Sequence, residues 1–67
     1  MIVNTADYNS FVIDYINDCE DKTKRGVPRM TIKSFIKSKG FKSVKSKGLY
    51  NVYLSDSDYT WFILRYS

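Results

Sequence analysis

Sixty-seven residues with a single Cys and no His allow one small domain and exclude a disulfide, a His-based triad and an ordinary zinc site. A chain this short buries only about 60% of its unfolded surface, so its stability margin is narrow. The net charge of +4 is sorted along the chain, with five acids and no cation in residues 1–21 and ten cations and no acid in residues 22–47. A block of clustered like charges acts at a distance on phosphates or on an acidic protein.

The lone Cys19 fits a reducing compartment and lies on an apolar helical stripe, which places it in the core. The start, Met-Ile-Val followed by polar and acidic residues, does not read as a signal peptide, and no apolar run is long enough to span a bilayer. A cytoplasmic protein with no membrane partner is therefore expected. The chain is rich in Lys, Tyr, Ile and Ser and holds one Ala, a bias that points to an AT-rich genome of the phage or mobile-element kind.

Tyr8, Phe11, Val12, Tyr15, Ile16 and Cys19 recur at helical spacing and predict a first helix, with Thr5 or Asp7 as its cap. Asp14, Asp18 and Asp21 share its far side and read as solvated acids rather than cation ligands. Glu20 and Asp21 oppose the dipole of the last turn, and Lys22, Lys24 and Arg25 are the neighbouring cations that could offset them. Residues 22–30, with Gly26 and Pro28, read as a basic loop. Thr31 caps a second helix over 31–39, Met30 supplies a hydrophobic staple on Phe35, and Gly40 ends it with Phe41 returning to Ile36.

Residues 41–47 read as a lysine-bearing edge strand and Lys47-Gly48 as a turn. Residues 49–54 and 59–66 are rich in aromatic and β-branched types and read as two strands joined by Ser55-Asp56-Ser57-Asp58, with 1–4 as one more candidate strand. The expected fold class is α+β, two helices on one face of a two- or three-stranded antiparallel sheet. Alternation puts Tyr50, Val52, Leu54, Phe62 and Leu64 on the helix side and leaves Leu49, Asn51, Tyr53, Tyr59, Trp61, Ile63 and Arg65 on the other. That second face has three readings. The sheet can curl and bury Trp61, the row can bind a partner or a second copy of the chain, or it can stack bases.

Two families share features with residues 31–66. A helix, a basic turn and a terminal hairpin resemble the end of a winged-helix domain, which implies a recognition helix at 31–39 and a wing at 49–66. The run Phe-Ile-Lys-Ser-Lys-Gly-Phe, followed by Lys-Gly-Leu-Tyr-Asn-Val-Tyr-Leu, is similar to the helix–strand–strand of HicA-type RNA-cleaving toxins. That family carries a His after the glycine matching Gly48, where this chain has Leu49, Tyr50 and Asn51. The resemblance thus implies RNA-binding geometry without the catalytic group.

No catalytic constellation, metal site or cofactor motif is expected. The leading expectation is a small regulatory protein that binds DNA or RNA through Lys24, Arg25, Arg29, Lys33, Lys37, Lys39, Lys42, Lys45 and Lys47. The alternative is an inhibitor or adaptor that docks on a host protein through Tyr53, Tyr59, Trp61, Ile63 and Arg65, a face that could also pair two copies.

Overall fold

A computed structural model describes all 67 residues. The order is β1 (Ile2–Asn4), a 3-10 turn (Thr5–Asp7), α1 (Asn9–Lys24), α2 (Ile32–Ser38), β2 (Val44–Ser46), β3 (Asn51–Leu54) and α3 (Asp56–Tyr66). β3 lies between β1 and β2, antiparallel to both. The fold is α+β, with the helices on one face of this sheet. No helix is long and apolar enough to cross a membrane.

One core holds the elements together. Val3, Val44, Val52 and Leu54 point from the sheet into a cluster with Phe11 of α1, Phe35 and Ile36 of α2, and Phe62 and Tyr66 of α3. Phe11 is its hub, with ring centroids 5.7 Å from both Phe35 and Phe62 and 5.2 Å from Tyr66. The opposite sheet face is open: Ile2, Tyr53 and Lys45 form one exposed row across the three strands.

The last helix departs from the sequence reading, which places a strand at 59–66 and a turn at 55–58. Ser55 is an N-cap whose hydroxyl accepts from the Asp58 N–H at 3.3 Å. Asp56 and Asp58 stand in the first turn and Arg65 in the last, both favourable to the helix dipole. Tyr59, Phe62, Ile63 and Tyr66 fall at i, i+3, i+4 and i+7 and pack on the core. These local signals outweigh the β preference of aromatic residues, which is weak and context-dependent. β1 takes the sheet position left empty, and Leu64, expected inside, is exposed.

Smaller departures have equally local causes. α1 continues through Lys24, because nothing breaks it before Gly26. Neither Thr5 nor Asp7 caps it. Thr5 is buried and bonds the Tyr50 carbonyl through both its backbone N–H (2.9 Å) and its hydroxyl (2.7 Å), tying β1 to the hairpin. Cys19 is half-buried rather than in the core. α2 starts and stops where its punctuation predicts, with the Thr31 hydroxyl accepting from Ser34 N–H at 3.2 Å and Gly40 at φ +98°.

Candidate nucleic-acid interface

Charge pairing divides the basic segment in two. Lys22 meets Asp18 at 2.9 Å, Arg25 meets Asp21 at 3.2 Å and Lys39 meets Asp14 at 3.8 Å. The three acids on the far side of α1 therefore each take a cation; of the offsets expected for Glu20 and Asp21, Arg25–Asp21 forms, while Lys22 turns to Asp18 and Glu20 has no cation within salt-bridge distance. Lys39 also lies over the Phe35 ring, 4.9 Å from the centroid. The remaining seven cations, Lys24, Arg29, Lys33, Lys37, Lys42, Lys45 and Lys47, are exposed and have no acid partner.

Specific contacts fix the backbone segments that carry several of these cations. The Tyr15 hydroxyl donates to the Met30 carbonyl at 2.6 Å, pinning the loop to α1 just before α2 begins. Burial, and then the neighbouring Cys19, raise the Tyr15 pKa, so this donor keeps its proton at neutral pH. Phe35 and Ile36 bury the inner side of α2, which turns Lys33 and Lys37 outward. α2 packs against β2, the edge strand that carries Lys45 and leads into Lys47.

Three grooves border this segment. The first, about 610 Å³, runs between the start of α2 and the hairpin tip. Arg29 and Lys33 stand at its rim above Tyr15, Met30, Ile32, Leu49, Tyr50 and Val52. Lys24 and Arg29 line a third groove, and Arg29 is common to it and the first. The second groove, about 640 Å³, lies between the loop after α2 and the outer side of α3. It gathers Lys39, Lys42, Arg65, Trp61 and Leu64.

The aromatic row expected on one sheet face does not form, because residues 59–66 are helical. Tyr53 stays on the open sheet face, Tyr59 and Ile63 pack against the core, and Trp61 and Arg65 sit on the outer side of α3. Trp61 is 63% exposed and Leu64 72%. Of the three readings of this face, burial of Trp61 is therefore excluded. The hairpin falls at 44–54, directly after α2, rather than at 49–66, where α3 replaces the second strand, so the terminal hairpin of the winged-helix resemblance does not form, while the helix–strand–strand order of the other resemblance is present.

Asp58 was missed as an organising residue. Only 7% exposed, it accepts from the backbone N–H groups of Lys42 (3.1 Å) and Ser43 (2.7 Å) and so fixes the basic loop against α3. Its legible signal is Ser55-x-x-Asp58 before an apolar run, the spacing of a helix cap. No group of three or more His, Cys, Asp or Glu residues is arranged to hold a metal ion.

No family model, curated protein or solved structure matches this chain, so neither resemblance extends to a family assignment.

Proposed function

We propose that this protein is a small, non-enzymatic regulatory protein that binds nucleic acid through the basic segment 22–47. The observation that carries this reading is the division of charge: three cations are taken up by the acids of α1, while seven stay exposed without a partner. Unpaired cations on the end of α1, on α2, on its flanking loops and on β2 suit a string of phosphates. The compositional bias supports a phage or mobile-element origin, and with it a cytoplasmic site of action in the host.

Affinity of this kind comes from counterion release. If about six cations met duplex phosphates, log K would fall with log salt with a slope of about −5. The outward side of α2 offers Lys33, Ser34, Lys37 and Ser38 but no Asn, Gln or Arg, so it supplies phosphate contacts rather than base readout. A salt series on labelled duplex DNA, single-stranded DNA and RNA tests the reading. Lys33→Glu with Lys37→Glu should abolish binding while the protein keeps its far-UV circular dichroism. Undiminished binding by that variant, or no binding by the parent at low salt, would refute it.

The alternative, an inhibitor or adaptor for a host protein, is favoured by the exposure of Trp61 and Leu64. It has lost the continuous aromatic row that first suggested it, and Trp61 shares its groove with Lys39, Lys42 and Arg65.

A further inference from the structure

The second groove combines features that phosphate binding alone does not explain. Trp61 is the chain's only Trp, and its indole is largely exposed where Phe11, Phe35 and Phe62 are enclosed. It takes part in none of the aromatic pairs of the core. Lys42 and Arg65 share the groove with it, and neither has an acid partner. Asp58, the acid of the groove, is turned onto the backbone N–H groups of Lys42 and Ser43. The groove therefore combines unpaired cations with a bare aromatic surface.

Its parts are held before any ligand arrives. Asp58, Trp61 and Arg65 stand at i, i+3 and i+7 on one side of α3, and the two bonds to Asp58 set the loop bearing Lys42 beside them. Arg65 is steadied by its Nε–H donating to the Tyr66 hydroxyl at 3.3 Å. An indole that shares a groove with two unpaired cations matches an unpaired nucleotide, whose base offers a π-face between two phosphates. In a duplex that π-face is already stacked on its neighbours and closed to a side chain.

We infer that the groove between the Lys39–Ser43 loop and α3 binds a single-stranded stretch of nucleic acid, with one base stacked on Trp61 and the adjoining phosphates at Lys42 and Arg65. The inference rests on the nucleic-acid reading above and narrows it from any polyanion to unpaired strands.

Trp61 is its own reporter. Titration with short oligothymidylate and oligouridylate should quench its emission, and a duplex of matched length should leave that emission nearly unchanged. By anisotropy of labelled strands, Trp61→Ala should weaken single-strand binding by about tenfold to a hundredfold and alter duplex binding less than about twofold. Trp61→Phe should keep most of the affinity. Lys42→Ala and Arg65→Ala should each reduce the salt slope by about one. Because the indole lies outside the core, Trp61→Ala should keep the parent's far-UV circular dichroism, which separates lost binding from lost folding. Single strands that bind with unchanged Trp61 emission, and bind Trp61→Ala as tightly as the parent, would overturn the inference and leave the basic-segment reading standing. Absence of binding to every oligonucleotide at low salt would overturn both. Quenching by polyglutamate but not by single strands would overturn it in favour of an acidic protein partner.

Discussion

α1 and α3 enter the same core in the same way and differ on their outer sides. Each has one fully enclosed Phe touching four rings: Phe11 meets Tyr15, Phe35, Phe62 and Tyr66, while Phe62 meets Tyr8, Phe11, Phe41 and Tyr66. Outside, three of the four acids of α1 are paired with cations from its own C-terminal end and from the end of α2. α3 leaves Trp61, Leu64 and Arg65 open. The inner side of a helix answers to packing, so the two agree there. The outer side is free to vary, and an uncovered indole beside unpaired cations is unexplained by packing. Ile13 and Ile16 are exposed on α1 too, and Ile16 shares a groove with the unpaired Lys24 and Arg29, but an aliphatic side chain offers no π-face for stacking.

The comparison breaks most severely from the inside. Phe11→Ala and Phe62→Ala should each cost about 3–5 kcal/mol, the range for emptying an enclosed aromatic site. A domain of this length is held by only about 3–10 kcal/mol. Urea titrations followed by circular dichroism should find both variants largely unfolded or with midpoints near zero denaturant. A mild shift for one and collapse for the other would show that the two helices are not equivalent in the core.

Asp58→Ala should come next, at about 2–4 kcal/mol. It leaves two backbone N–H groups of the Lys42–Ser43 loop without their acceptor and removes an acid from the first turn of α3. Hydrogen exchange at Lys42 and Ser43 should accelerate ahead of global unfolding. If exchange there stays as slow as in the parent, Asp58 does not hold the loop, and the preformed groove loses its basis.

Much of the frame is legible in the residues because its causes are local. Thr31, Met30 and Gly40 mark α2, and the alternation of Val52, Tyr53 and Leu54 marks the buried and open sides of β3. The sorting of charge is plain at once. α3 is obscured because Ser55-Asp56-Ser57-Asp58 serves equally as a turn and as a cap, while Tyr59 to Tyr66 has the composition of a strand and the spacing of a helix. The spacing is the stronger signal, since it states which side chains can be buried together. Which cations stay free is not legible, because Lys39 meets Asp14 only through the folded arrangement of α1 and α2. The same holds for the two faces of residues 59–66, which exchange members once the segment is helical.

The smallest expected effect joins the two helices directly. The Tyr66 hydroxyl of α3 donates to Asp14 Oδ2 of α1 at 2.8 Å, and Arg65 Nε–H donates to that hydroxyl. Tyr66→Phe keeps the ring in the core and deletes this link, so it should cost about 1–2 kcal/mol, as for a hydrogen bond to a charged acceptor. It should also change the alkaline limit of the fold. Burial, then the bond to Asp14, raise the Tyr66 pKa above its ordinary value of 10.0; burial chiefly does the same for Tyr8 and Tyr15. Since the folded state holds these protons more tightly than the unfolded state, their contribution is complete below pH 10 and is lost as pH rises through the folded-state values. Thermal midpoints of the parent should therefore decline above about pH 10. Tyr66→Phe should start lower at neutral pH and decline less steeply, so the two curves converge in alkali. Parallel curves would mean that Tyr66 titrates alike in both states, and that ring packing alone, without the bond to Asp14, couples α3 to α1.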